Sequence, residues 1–150
     1  MSHLSQAPVL ILESEIDSLR KTATFFGAEV LTNTKCRWFN SFVGDAPLPV
    51  GWTAAELKDA LERAPYVIRH PDAGYDIALI RNKNGKGYSL FYDSWGIDKG
   101  QVLDEKFGKG LIRLTKEYTK NVVRKAARAH GWLCQENTVK GRVTMTLVKV

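Results

Sequence analysis

The chain has 150 residues, 44% of them hydrophobic and 25% charged, and a net charge of +6. This is the composition of a globular protein rather than of a disordered segment. No apolar run approaches the ~20 residues of a membrane span, and the N-terminus lacks a basic leader, so we expect one cytoplasmic domain over residues 1–150.

The positive charge is concentrated in the last third of the chain. Net charge is −1 over residues 1–50, 0 over residues 51–100 and +7 over residues 101–150. The two cysteines, Cys36 and Cys134, lie far apart and in no CxxC pair, so we expect free thiols. We expect no metal site, because two thiols without a second CxxC or paired histidines cannot form a closed tetrahedral zinc site in one chain. We also expect no cofactor.

The first predicted unit is strand, helix, strand. Pro8–Leu12 is an apolar run typical of a strand, and Ser14 is the expected N-cap of the next helix. Apolar residues then recur at helical spacing up to Gly27, which is expected to end the helix. A second strand is predicted around Ala28–Leu31.

The next stretch, Lys35–Trp52, is irregular, and we interpret about 35–65 as an insertion in the domain. One interpretation is a loop held to the core by its aromatic rings. The other is an aromatic surface that stacks on a base or on a partner side chain. The rings concerned are Trp38, Phe39, Phe42 and Trp52.

A short helix and a strand are predicted after this loop. Thr53 and Glu56 have the TxxE spacing of a capping box, which opens a helix that runs to about Arg63. Tyr66–Arg69 has the composition of a brief strand.

The strongest structural signal is a hairpin between Gly74 and Gly96. Asn84-Gly85 separates two apolar runs and is the dipeptide typical of a two-residue type I′ turn. In that register Asp76 faces Asp93, and both faces of the hairpin are apolar. We therefore expect the hairpin to lie near the middle of a sheet.

The longest predicted helix runs from about Leu111 to His130, after a glycine-rich connection. Its expected buried face consists of Leu111, Leu114, Tyr118, Val122, Ala126 and Ala129. Two strands follow, around Trp132–Glu136 and Arg142–Val150. In the second, Val143, Met145 and Leu147 are expected to point inward.

The resulting order is β-α-β, insertion, β-β-β, α, β-β. Strands joined mostly by hairpins, with few helices, favour an α+β fold over a parallel α/β fold. We predict a two-layer sandwich, an antiparallel sheet with the helices on one face, built as a ferredoxin-like core with an insertion.

Four short motifs of the sequence resemble those of a known family: Met1-Ser2-His3, Tyr75-Asp76-Ile77, Asp93-Ser94-Trp95-Gly96 and Gly131-Trp132. The family is the Ycf thirty-five-like family of uncharacterised proteins, encoded in plastids, cyanobacteria and many phages, and the Trp38–Pro49 region looks like its phage-type members. Since members tend to be encoded near AAA-type ATPase genes, the resemblance implies an accessory protein and gives no catalytic residue.

Enzyme motifs such as GxGxxG, HExxH and GxSxG are absent from the sequence. Asp76 and Asp93 are the pair that could form a small-ligand site, beside Trp95. Opposed like charges need a cation or a shared proton, and a structural arginine such as Arg69 would also supply this.

A second candidate surface is a row of cations on the long helix, which we name the stripe. It consists of Arg113, Lys116, Lys120, Arg124 and Arg128. Such a row could follow a phosphate backbone or an acidic protein patch, but it is also the polar face that any amphipathic helix has.

We therefore expect an accessory or adaptor protein that acts by binding a protein partner. Two alternatives stay open: nucleic-acid binding through the basic helix face, and a small-ligand enzyme at Asp76, Asp93 and Trp95.

Overall fold

The computed structural model describes residues 4–40 and 48–149. The α+β class predicted from the sequence is confirmed. In chain order, the elements are β1 (Leu4–Ile11), α1 (Ile16–Phe25), β2 (Glu29–Thr32), α2 (Ala54–Glu62), β3 (Tyr66–Arg69), β4 (Ile77–Arg81), β5 (Tyr88–Asp93), α3 (Gln101–Phe107), α4 (Ile112–Ala129), β6 (Trp132–Val139) and β7 (Arg142–Lys149).

Strands β1 to β5 form one antiparallel sheet in the order β1-β5-β4-β3-β2, and β6 pairs only with β7. A split βαβ unit of the ferredoxin-like type was expected, but here three strands separate β1 from β2. Each of the strands β2 to β5 pairs antiparallel with the next strand along the chain, although α2 lies between β2 and β3, and β1 pairs with the remaining edge of β5. The ferredoxin-like expectation is therefore wrong, although the antiparallel sheet is confirmed.

One face of the sheet is covered by α1, α3 and α4. The side chains of Leu19 from α1, Phe107 from α3 and Leu114 from α4 are buried in one cluster with Leu79 and Leu90 of the central hairpin. The expectation that the two longer helices share a face is thus confirmed.

The opposite face is covered by α2 and by part of the irregular stretch, so the expectation that all helices lie on one face is wrong. Leu57 and Leu61 of α2 are fully buried against Ile80 and Phe91. The physical reason is the second apolar face of the hairpin, which would otherwise remain in water. The predicted capping box of α2, Thr53 with Glu56, is present.

The irregular stretch is held to this second face by its aromatic rings. Trp38 is buried, and the ring of Trp52 lies edge-on to that of Phe91, with centroids 5.7 Å apart. Phe39 remains 41% exposed, and Phe42 lies outside the described residues. The interpretation of a loop pinned to the core is supported by two of its four rings.

The central hairpin has the predicted register but a different turn. Leu79 is paired with Leu90. The backbone N–H of Gly85 donates to the carbonyl of Asn82 (2.9 Å), and that of Asn82 donates to the carbonyl of Gly87 (3.0 Å). The loop is therefore longer than the expected two-residue turn, and it is stabilised by the side chain of Asn82, which donates to the carbonyl of Lys86. A four-residue loop leaves the strand register unchanged.

Two tyrosines of β5 tie the covering helices to the sheet. The hydroxyl of Tyr92 donates to Asp104 of α3 (2.7 Å), and that of Tyr88 donates to Glu13 (2.5 Å), next to α1. Burial and, next in size, the hydrogen bond to Glu13 together raise the pKa of Tyr88 to about 12. Both phenols are therefore neutral donors at neutral pH.

The helices differ from the sequence-based expectations in three respects. The N-cap expected at Ser14 is not formed, because a 3₁₀ turn over Glu13–Glu15 precedes α1. Helix α3 was not predicted, because glycines flank it on both sides. On α4, Ala126 and Ala129 are exposed, whereas the polar Asn121 is buried. A methyl group is too small to indicate which side of a helix is covered.

We name the β6–β7 hairpin, residues 132–149, the arm. The arm joins α4 through Gly131, whose φ is +68°. Val143 and Leu147 are each 39% exposed, whereas Met145 is half-buried, so the inward orientation expected for these three side chains is wrong for Val143 and Leu147. The reason is that the arm forms its own two-stranded sheet beside α4 and adds no strand to the main sheet.

We predict that Gly100→Ala destabilises the protein by more than about 2 kcal/mol. A Cβ atom at this position would lie 2.0 Å from the backbone carbonyl oxygen of Asp93, the last residue of β5. Its φ of −65° suits any residue, so the cost is purely steric. Urea unfolding followed by circular dichroism measures it.

The matched control is Gly141→Ala in the turn of the arm. Gly141 has a φ of +75° and no atom within 4 Å of its Cβ position, so only the left-handed backbone is penalised, by about 1 kcal/mol. A Gly100→Ala variant as stable as the wild type would contradict the close approach.

Candidate functional site

Asp76 is fully buried immediately before β4, and two arginines bind its carboxylate. Arg69 of β3 donates through Nε to Oδ1 (3.0 Å) and through Nη2 to Oδ2 (2.8 Å). Arg37, in the irregular stretch, donates through Nη2 to Oδ1 (2.8 Å). Burial alone would raise the pKa of Asp76, but the hydrogen bonds from Arg69 and then Arg37 outweigh it and hold the pKa below its usual value.

The backbone around Arg37 is bound to the same aspartate. The N–H of Arg37 donates to Oδ2 of Asp76, and the N–H of Asp76 donates to the carbonyl of Arg37, both at 2.9 Å. Burial, followed by the nearby charge of Asp76, raises the pKa of the Cys36 thiol to about 12. Cys36 is thus a protonated, unreactive core residue, and this cluster fastens the second covering layer to the sheet.

Asp93 has a different set of contacts from Asp76. Its Oδ1 accepts a hydrogen bond from the N–H of Trp95 (3.1 Å), and its backbone position pairs with Leu4 of β1. Trp95 is 41% exposed, and its ring lies edge-on to Phe39. The paired arginines on Asp76 favour the structural role over the small-ligand site proposed from the sequence.

Two of the five predicted stripe cations are engaged by acidic residues. Arg124 donates to Glu117 (3.3 Å) and to Glu136 of the arm, and Lys120 lies 3.4 Å from Glu136. Arg124 also donates to Asn121 (3.0 Å), whose amide in turn donates to a buried hydroxyl of α1. These contacts hold the arm to α4.

The other three cations of the stripe either bind a backbone carbonyl or are exposed. Arg113 donates to the backbone carbonyl of Glu105. Lys116 and Arg128 are exposed, and within the described part of the chain no carboxylate lies within ion-pair distance of either. The stripe therefore contains cations that make structural contacts and cations that are exposed on the surface.

A groove runs between α4, the end of α1, β1 and the arm, and we name it the α4 groove. Its volume is about 750 Å³. Its apolar part consists of Pro8, Val9, Phe25, Phe26, Val123, Val143 and Met145, and its polar part of Arg113, Thr115, Lys116, Glu117, Thr119, Lys120 and Arg142. Three cations of the predicted stripe thus line this groove.

The polar groups of the groove are mainly donors. The hydroxyls of Thr115 and Thr119 donate to helix carbonyls of α4 at 3.1 and 3.0 Å, as threonines within helices commonly do. The carboxylate of Glu117 accepts from Arg124. Lys116 and Arg142 remain as charged groups without a carboxylate partner among the described residues.

Within residues 4–40 and 48–149, no group of three or more histidine, cysteine or acidic residues could hold a metal ion. The same residues include no helix that is both long and apolar enough to span a membrane. Comparison with known proteins identifies no matching family model, no matching characterised protein and no matching solved structure. The function must be inferred from the chain's own residues.

The sequence named Arg69 as a structural partner for the aspartates, and Arg69 does bind Asp76. Sequence reasoning missed the second arginine on Asp76, Arg37, and the acidic partners of the stripe. Glu117 carried a local signal, because it lies three residues before Lys120 on the same helix side. Glu136 and Arg37 carried none, because their contacts join elements distant along the sequence.

We predict that Asp76→Asn lowers the free energy of unfolding by about 2–4 kcal/mol, because two arginines then face an uncharged amide with only one acceptor. Urea unfolding at neutral pH measures the loss. The control is Asp59→Asn: Asp59 pairs with Arg63 on the surface of α2, where the exposed ion pair contributes less than about 0.5 kcal/mol.

The pH dependence gives an independent check of the same cluster. Because the folded state lowers the pKa of Asp76, its stabilising contribution is complete above the unfolded pKa of about 3.9 and is lost as pH falls through the folded pKa. The stability difference between wild type and Asp76→Asn should therefore shrink below about pH 4. A difference that stays constant there would rule out the ionised cluster.

Proposed function

We propose that this chain is an accessory protein that acts by binding a partner protein, and that the α4 groove is the binding surface. The observation that carries the proposal is the groove itself, an open concavity of about 750 Å³ in which exposed apolar side chains lie next to cations. Exposed apolar surface next to charge is typical of interaction sites rather than of ordinary protein surface.

The exposure of individual side chains supports this proposal. Phe25 is 68% exposed and Val143 is 39% exposed, and both line the groove. A partner that covers them removes apolar surface from water, at roughly 25 cal/mol per Å². The resemblance to the Ycf thirty-five-like family adds an AAA-type ATPase as the partner class to examine first.

Nucleic-acid binding is the second candidate, and one observation favours it. Residues 101–150 carry a net charge of +7, and Lys116 and Arg128 have no carboxylate within ion-pair distance among the described residues. Free cations on one helix can contact successive phosphates.

For the partner protein, we expect affinity purification from the native cell to recover a stoichiometric partner that binds the purified chain directly. Val143→Asp should weaken this binding at least about tenfold, because it places a charge on apolar contact surface. Because Val143 is an exposed residue of the arm, we expect the variant to retain the fold. Circular dichroism checks this.

Lys58→Glu is the matched control, because Lys58 is exposed on α2, which covers the other face of the sheet. It should leave the affinity unchanged. A direct partner bound equally by wild type and Val143→Asp would exclude the groove, and the absence of any stoichiometric partner would contradict the adaptor function.

For nucleic acid, fluorescence anisotropy with short single-stranded and duplex DNA over a salt series should show weakening with salt, since binding releases counterions. Replacing Lys116 and Arg128 with Gln should lower the log–log salt slope by about 1–2 units. Lys58→Gln is the control. Lys120 and Arg124 are unsuitable for this test, because they hold Glu136 of the arm. An unchanged slope would leave these cations as solvated surface.

A further inference from the structure

We infer that the α4 groove recognises a short linear segment that combines carboxylates with large aliphatic or aromatic side chains. This inference rests on the proposed function, since it specifies the kind of partner element that the same groove binds. It follows from the charges, the hydrogen-bonding groups and the size of the groove.

The charges on the groove favour an acidic ligand. Among the described residues, Lys116 and Arg142 line it without a carboxylate partner, and Arg113 adds a third cation whose side chain donates to a backbone carbonyl rather than to a carboxylate. The carboxylate in the lining, Glu117, lies between Arg124 and Lys120, which already neutralise it. Carboxylates of a ligand would find charge complementarity here.

The hydrogen-bonding groups also favour an acceptor-rich ligand. The hydroxyls of Thr115 and Thr119 are bound to carbonyls of α4, so these side chains contribute mainly their methyl groups. Cationic donors therefore outnumber available acceptors. A ligand rich in hydroxyl or amide donors would leave polar groups unpaired on binding, and this costs affinity.

The apolar part of the groove indicates that charge alone is insufficient. Phe25, Val143 and Met145 form an apolar boundary that a purely acidic ligand would leave in water. Nucleic acid supplies negative charge but carries few aliphatic groups to cover this surface. A second copy of this chain is disfavoured, because each copy carries a net charge of +6 and would bring like charge.

The size of the groove indicates a segment rather than a broad folded surface. A volume of about 750 Å³ lies within the roughly 300–1,000 Å³ of ordinary ligand sites. A concave site of this size is filled by the side chains of one helix turn or one extended segment, which is how linear motifs bind.

The test is a display selection of random peptides of about ten residues on the full chain. Counter-selection uses the double variant Lys116→Glu/Arg142→Glu. We expect the selected pool to be enriched in Asp and Glu together with Leu, Ile, Met, Phe or Trp. A synthetic peptide from this pool should bind at least about tenfold more weakly to the double variant and to Val143→Asp.

Lys58→Glu again serves as the control and should bind the peptide like the wild type. The inference is overturned if no peptide is enriched, if the pool is not acidic, or if the groove variants bind the peptide as well as the wild type. It is also overturned if a version of the peptide with Ser at each apolar position binds equally well.

The outcomes separate this inference from the proposed function. Groove-dependent acidic peptides in the absence of any cellular partner would support the chemistry of the groove and contradict the adaptor function. A cellular partner that binds independently of the groove, together with no enriched peptide, would support an accessory role and overturn the groove chemistry.

Discussion

Both faces of the β4–β5 hairpin are apolar, and the architecture follows from this constraint. A hairpin with Leu79 on one face and Ile80 on the other cannot leave either face in water. Helices α1, α3 and α4 cover the first face, and α2 with the aromatic stretch covers the second. The second layer is irregular, and the charge cluster of Asp76 with Arg37 and Arg69 fixes its position on the sheet. That cluster is therefore better explained by architecture than by chemistry on a substrate.

Helix α4 has three different surfaces, and together they explain why its cations are not equivalent. One side is packed into the core through Leu114. A second side binds Glu136 through Lys120 and Arg124, and so positions the arm. The groove side presents Lys116 beside apolar residues of other elements. The cations of α4 therefore include two that hold the arm in position and others that remain exposed. Only the exposed cations are available to contact a partner.

The sequence was informative wherever the deciding contacts are local. The register of the hairpin, the capping box at Thr53 and the end of α1 near Gly27 all depend on residues a few positions apart. Strand order and the binding of Arg37 to Asp76 depend on contacts between distant parts of the chain, which no periodicity encodes. For the candidate site, the helical spacing of charged residues in the sequence identified the cations of α4. It could not find the apolar groove, because β1, the end of α1 and the arm meet only in the folded chain.

The attachment of the arm also has a consequence for sequence divergence among related chains. Neither core cluster includes a described residue of the arm, which is attached through Gly131 and through the contacts of Glu136. Substitutions on its groove side therefore cost little folding stability, since they disturb no buried packing. A related chain could acquire a new binding preference by altering the arm alone, while the five-stranded sheet keeps its sequence. Changes on this wall of the groove should accordingly alter the surface of the groove far more than they alter the stability of the fold.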